Sequence, residues 1–437
     1  MTEHFSPFRF QPVLTDIIKR LNFTEPTAIQ QQVIPAALNG TSVIGQSQTG
    51  SGKTHAYLLP LINRLDPGKQ EVQFVITAPT RELATQIYDE VKKIIDYAGK
   101  KGIWNAKLLV GGTDKQRMIE KLKEPPHIVV GTPGRILDLV QEQRLSIFSA
   151  SAFVIDEADL MLELGFIQDV DQLLVRAHKD IQLLAFSATI PQQLEHFYRK
   201  YLENPLRVKI DDALAPETLE HRIVPLKNRD TSDVITMISE IVQPYLAIIF
   251  TNGKEEADQL AFSLQQKGLN TGLIHGGLAP RERKRVLKEI QNLRYQYVVA
   301  TDLASRGIDI KGVSHVINAQ LPKETNFYLH RAGRTARAGM EGTVISLYRD
   351  EDARFIDKLK QKGIAVTFWD IKNGEWKQMK FRDERKKDKT ANQNDDYMAW
   401  KQVKKRKKVK PGYKKKMKQQ QEKIKRQMKK QSNNKRK

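Results

Sequence analysis

SAFVIDEADLM, residues 151–161, sets three acids, Asp156, Glu157 and Asp159, directly behind the apolar run Phe153-Val154-Ile155. A short apolar run bounded by polar residues reads as a buried strand. Charge at the end of such a strand is costly unless a cation or a proton transfer uses it. VVGTPGRILDLV (129–140) and LLAFSATIP (183–191) have the same shape. SVIGQSQTG and FVITAPTREL precede them, and YLAIIFTNG, TGLIHGG, YQYVVATD, HVINAQLP and GTVISLY follow in the second half. Between these runs lie stretches such as ELATQIYDEVKKIIDYA and KEEADQLAFSLQQKG, with apolar residues at helical spacing. Alternating strand and helix predicts an α/β protein with parallel sheets wrapped by helices. The polar residues gather at the C-terminal strand ends, the edge where such sheets bind ligands.

The polar, Pro-containing stretch VKIDDALAPETLE (208–220) reads as an interdomain linker. It divides the chain into a first domain at 1–208, a linker at 209–220, a second domain at 221–368 and a basic extension and tail at 369–437. A length of 437 residues suits two cores. Of the net charge of +22, residues 401–437 carry +18, from 19 Lys or Arg against the single acid Glu422. A tail so poor in large apolar residues cannot fold alone and is expected to be disordered. Its charge suits a phosphate backbone, through counterion release, better than it suits mere solubility. The absence of cysteine suits a reducing compartment. No basic and apolar leader opens the chain and no run approaches a membrane span, so a soluble, cytoplasmic protein is expected.

SQTGSGKTHAYLLPLI (47–62) follows a strand and opens a helix. Gly50 and Gly52 would let the backbone approach an anion at the helix N-terminus, with Ser47 and Thr49 in the same loop. Lys53 would reach the β- and γ-phosphates of ATP, and Thr54 would coordinate Mg²⁺. About a hundred residues later, Asp156 occupies the position at which a nucleotide-hydrolysing enzyme holds that Mg²⁺, and Glu157 is placed to orient or deprotonate water. An acidic turn without a ligand is the bland alternative, weakened by the phosphate loop. In FYLHRAGRTARAG (327–339), Arg331, Arg334 and Arg337 recur at i, i+3, i+6, which predicts one helical face. Such a face is either solvated or lends arginines to the γ-phosphate.

Taken in order, NFTEPTAIQ, SQTGSGKT, PTREL, GG, TPGR, DEAD, SAT, IIFTN, HGG with RERKR, ATDLASRGID and HRAGRTAR cover roughly residues 1–350. This set resembles the DEAD-box ATP-dependent RNA helicases of superfamily 2. Size and basic tail look most like the cold-shock RNA helicases of Gram-positive bacteria. The resemblance implies two tandem RecA-like domains and an RNA-stimulated ATPase that separates short duplexes, with ATP and RNA binding cooperatively across the cleft. It implies that Gln30 reads the adenine edge, that Phe5 stacks on the base and that Asp309 contacts the ribose. Arg334 and Arg337 match the family's finger positions; Asp159, Ser187, Thr189, His330 and Arg331 match positions that couple hydrolysis to closure. For RNA the matching positions are Arg81, Gly112, Thr132, Gly134 and Arg135 in the first domain, and Asn252, Gly276, Arg283 and Thr301 in the second. Small residues and N–H donors suit backbone readout of single- and double-stranded RNA. Ribosomal or RNA-decay complexes are partners of the kind implied.

The chain departs from the family pattern at Asn22 and Ala336, where glycine is usual, at Ser47 in the phosphate loop, at Ala332, and at Pro280, where glutamine is usual. Ala336 is expected to favour helix. With Pro280 in place, the RNA contact shared with that glutamine is not expected. Two other readings stay open: an ATP-gated RNA clamp or annealing chaperone dominated by the tail, with Tyr397, Trp400 and Tyr413 to stack on bases, and a DNA translocase of the same superfamily.

Overall fold

A computed structural model describes residues 3–48, 50–112, 114–120, 122–210, 219–302, 310, 312–336, 341–379, 418–419 and 421–424. Residues 1–366 form one compact unit. Within it the first sheet comprises β1 (Val43–Gln46), β2 (Phe74–Thr77), β3 (Ala106–Leu109), β4 (Ile128–Gly131), β5 (Ala152–Ile155), β6 (Gln182–Ser187) and β7 (Leu206–Lys209). Their order is β3-β4-β2-β5-β6-β1-β7, and every pairing is parallel. The register brings Thr77 beside Ile155, and Gly45 and Gln46 beside Phe186 and Ser187. The C-terminal ends of β1, β2, β5 and β6 therefore open on one edge.

Alternate residues of these strands feed two apolar layers. Val154, Phe74 and Phe186 pack on one face with Ile17, Val33 and Leu59, while Phe153, Val75 and Ile155 pack on the other with Val170 and Leu194. Burial on both faces is why the central strands read as continuous apolar runs. Gly131 answers a packing demand, because a Cβ there would lie 2.2 Å from the carbonyl oxygen of Leu109 on the neighbouring strand. On the second layer, the hydroxyl of Tyr198 is buried with no hydrogen-bond partner among the described residues. Burial, and then the charge of Asp159, push this phenol well above its ordinary range. An unpaired buried hydroxyl costs roughly 1–3 kcal/mol. Tyr198→Phe is therefore expected to raise stability by about 1 kcal/mol in a urea melt, and a lowered midpoint would show that the hydroxyl is paired in solution.

The second sheet is built from β8 (Leu219–Pro225), β9 (Ala247–Thr251), β10 (Thr271–Ile274), β11 (Tyr297–Thr301), β12 (His315–Asn318) and β13 (Gly342–Tyr348). These run β10-β11-β9-β12-β13-β8, again with parallel pairings. Each sheet is a doubly wound, RecA-like unit, as expected. The first sheet ends in sequence at Lys209 and the second begins at Leu219.

Three strands of these sheets are not apolar runs in the sequence. β3 is an edge strand that is only half-buried, β7 buries only Val208, and β8 carries His221 and Arg222. A second unit begins at Thr367, within the next strand. There β14 (Val366–Lys372) pairs antiparallel with β15 (Glu375–Met379) around Asn373-Gly374, both at positive φ. Asn-Gly between two strands is a hairpin signal, so the stretch read as a plain extension is a hairpin, and the boundary drawn at 368 falls inside β14. Of the basic tail, 418–419 and 421–424 are helical; the remainder from residue 380 lies outside the described residues.

Candidate active site

The loop after β1 turns through Gly50 (φ 91°) and Gly52 (φ 93°) into the helix Lys53–Asn63. Left-handed φ favours glycine at both, and a Cβ on Gly52 would also lie 2.7 Å from Nε2 of Gln30. Gln30 is tied in: its Oε1 accepts from Thr27 N (3.1 Å) and its Nε2 donates to Gly52 O (3.1 Å). Gln30 thus braces the phosphate loop. Ser47 N donates to Ser187 O at 3.1 Å, and the Ser47 and Ser51 hydroxyls are 2.7 Å apart. Lys53 is buried, with Nζ donating to the carbonyls of Ser47 (2.7 Å) and Gln48 (3.3 Å) inside the loop. Thr49 lies outside the described residues. Phe5 does not present an open face: it is 4 % exposed, edge-on to Phe8 at 5.9 Å. The stacking implied for it therefore has no visible surface.

Asp156 and Glu157 follow β5 and are both buried. Asp156 accepts from Glu157 N at Oδ1 (3.0 Å) and from the hydroxyl of Tyr57 at Oδ2 (2.9 Å). Burial, opposed by Lys53 and reinforced by Glu157, raises its carboxyl to about 6. Tyr57 is pushed well above its ordinary value, by burial first and then by Asp156. Glu157 caps the next helix at φ 53°, ψ 50°, left-handed for a residue with a side chain. Two buried carboxylates and the Thr54 hydroxyl are hard oxygen donors of the kind Mg²⁺ takes, and Mg²⁺ needs only one or two protein ligands when phosphates and water complete its shell. No cluster of three or more His, Cys, Asp or Glu fit to hold a metal occurs among the described residues. The donors fit the ion.

Asp159 joins the two domains. Its N–H donates to the Ser187 hydroxyl (3.1 Å), which donates to Thr189 O (2.5 Å). Its Oδ2 accepts from Thr189 N and Oγ1, each at 2.9 Å, and lies 3.8 Å from Nε2 of His330 in the second domain. Burial pulls this carboxyl up, but His330 first, then Lys53 and the Thr189 and Ser187 bonds, hold it below its ordinary value.

The arginines differ from the expected helical stripe. The helix Thr325–Ala332 ends before Arg334, because Gly333 and a turn follow it. Only Arg331 lies on that helix, and it is 1 % exposed. Its Nε and one terminal nitrogen grip both oxygens of Asp302 (2.5 and 2.7 Å). The other contacts run to Asn318 Oδ1 (3.1 Å), Gln320 O (2.7 Å) and Asn252 Oδ1 (2.9 Å). Arg331 is therefore a strut inside the second domain. Arg334 is buried just past the helix end, with Nε donating to His330 O at 3.4 Å. Ala336 is left-handed (φ 55°), as is Asn22 (φ 57°), so both departures from glycine sit where glycine would be least strained, and Ala336 is not helical. Arg337 and Asp309 lie outside the described residues.

Of the RNA positions in the first domain, Arg81 and Gly112 are exposed, and Thr132, Gly134 and Arg135 are half-buried. Arg81 reaches to within 3.1 Å of where a Cβ on Gly111 would stand, and Asp169 to within 3.2 Å of where one on Gly134 would stand. In the second domain Gly276 is exposed and Thr301 buried. Asn252 spends its side chain on Arg331 and on Leu321 O. Arg283 lies 2.8 Å from the carboxylate of Glu82, across the cleft, both side chains about 15 % exposed. In this arrangement it pairs with the first domain. Tyr57, Glu82 and Asp302 were not singled out in the sequence. A polar-tipped aromatic one turn beyond Lys53, and an acid beside Arg81, were the available signals.

A phosphate loop, a pair of buried carboxylates and a facing second RecA-like domain define a nucleotide-driven helicase. The chain belongs to the DEAD/DEAH box helicase family, whose model matches residues 27–197, with a helicase conserved C-terminal domain at 227–339. It is 51 % identical to the DEAD-box ATP-dependent RNA helicase CshB of Bacillus subtilis strain 168, over 99 % of both chains. Against CshB of Bacillus cereus it is 51 % identical over 96 % of this chain and 97 % of that one. Among solved structures, yeast Dbp5 bound to RNA and ADP BeF3 superposes with a TM-score of 0.77, at 27 % identity, covering 90 % of this chain and 99 % of that one. Mss116p bound to ssRNA and AMP-PNP gives 0.74 at 29 % identity, covering 84 % and 78 %.

Proposed function

We propose that this protein is an ATP-dependent RNA helicase that separates short duplexes locally and remodels RNA or RNA–protein complexes, with hydrolysis stimulated by RNA. The observation that carries the reading is the Asp159 network, in which one carboxylate beside the nucleotide loop accepts from Thr189 of its own domain and faces His330 of the other, while its N–H donates to Ser187. An acid held from both sides makes the chemistry depend on closure. Lys53, now resting on the carbonyls of Ser47 and Gln48, is the cation for the β- and γ-phosphates. Glu157 orients the attacking water, and Arg334 and Arg337 supply positive charge from the second domain. Thr54 and Asp156 would hold Mg²⁺, which when bound neutralises phosphate charge.

RNA is gripped through sugar and phosphate by Arg81, Gly112, Thr132, Gly134 and Arg135, and by Gly276 and Thr301 opposite. Asn252 and Arg283 would first have to give up the partners described above. The printed names of the relatives and the RNA-bound neighbours support this substrate. The +18 tail adds sequence-independent affinity and suits ribosomal or RNA-decay complexes as partners, and cold-shock work on folded RNA. No described helix is long and apolar enough to cross a membrane, and we place the protein in the cytoplasm.

The test is steady-state ATP hydrolysis by the full chain without nucleic acid, with structured RNA and with matched DNA. RNA alone is expected to raise turnover on the order of tenfold or more, since closure assembles the arginines on the phosphate. Equal stimulation by DNA would favour a translocase. No stimulation, with tight binding lost on deleting 381–437, would favour the tail-driven clamp.

A further inference from the structure

Tyr57 is fully buried one turn beyond Lys53, on the same helix, with its ring against Phe186 at 5.3 Å between centroids. A phenylalanine would fill that space. The hydroxyl nonetheless has a specific partner: it donates to Oδ2 of Asp156 at 2.9 Å. The other oxygen of Asp156 is held by Glu157 N. One phenol thus ties the helix that follows the phosphate loop to a carboxylate at the end of β5, about a hundred residues away. Asp156 is one of the two side chains assigned above to Mg²⁺, and the inference rests on that assignment.

We propose that Tyr57 is a positioning residue for the Mg²⁺ that accompanies the nucleotide, holding the Asp156 carboxylate in place before the ion arrives. Partners that orient metal ligands commonly govern affinity by about 10–100-fold, and a pre-ordered carboxylate spares the ion the cost of ordering it. Tyr57 touches no reacting atom and takes no part in the proton transfers.

The experiment is a titration of Mg²⁺ into the full chain with a fluorescent ADP analogue, reading nucleotide affinity rather than turnover. For Tyr57→Phe the Mg²⁺ concentration giving half of the metal-dependent gain in affinity is expected to rise about tenfold, with affinity in EDTA unchanged. In an Asp156→Ala background the same substitution is expected to add nothing, because the ligand it positions is gone. An unchanged Mg²⁺ midpoint in Tyr57→Phe, with or without a lower melting temperature, overturns the proposal and leaves the phenol a structural partner. An equal further loss in the Asp156→Ala background overturns it as well. If Asp156→Ala itself keeps the wild-type Mg²⁺ dependence, the metal assignment fails and takes the proposal with it, a result distinct from failure of Tyr57 alone.

Discussion

Arg331→Ala is expected to unfold the second domain rather than to leave a folded enzyme with slow turnover. All the guanidinium nitrogens are engaged, by Asp302, Asn318, Gln320 and Asn252, and the group lies over the ring of Phe250 at 5.0 Å. Those partners come from the ends of β9, β11 and β12, so the side chain pins three strand ends together. Removing one side of a buried ion pair costs about 3–5 kcal/mol, because the other side stays behind without its counter-charge. Whole domains are stable by only about 5–15 kcal/mol. Lysine would not rescue it, since an ammonium cannot fill a planar fork of five donors. The measurement is urea unfolding followed by circular dichroism. A wild-type midpoint with ATP turnover lost would restore the reading of Arg331 as a finger on the phosphate.

Glu157→Gln is expected to lower ATP turnover by about a hundredfold or more, with nucleotide affinity little changed. Removing a positioned general base costs about 10²–10⁴-fold in rate, and glutamine keeps the shape of the side chain. Glu157 is suited to the role because its backbone is fixed: its N–H is held by Asp156 and its carbonyl accepts from Met161 N (3.0 Å). Single-turnover hydrolysis beside nucleotide binding separates the two effects. Turnover at the wild-type rate would mean that another group handles the water.

The central strands were legible in the sequence because they are buried on both faces and so cannot alternate. β3 and β7 were not, since edge strands such as LRVK bury one residue in four. The carboxylates after β5 announced themselves by their cost. What Arg331 does could not be read, because spacing along FYLHRAGRTARAG says nothing of Asp302 or Asn318, and because Gly333 ends the helix that the spacing assumed. Tyr57 was hidden for a related reason: in AYLLPLI an aromatic reads as core, and its hydroxyl matters only once β5 is laid beside the helix. The sequence pattern named groups that bear chemistry, while the groups that hold them in place emerged from contacts between distant segments.

Glu157 stands at φ 53°, a conformation that costs a side-chain-bearing residue roughly 1 kcal/mol and that glycine adopts freely. Glycine would relax the backbone there and remove the carboxylate in the same stroke. Natural proteins sit just above the stability they need, and strain persists where function demands it. On the role proposed for Glu157, selection for robustness and selection for turnover pull this one position in opposite directions, so a screen for heat-resistant variants that ignored activity would drift toward a sturdier protein that no longer hydrolyses ATP.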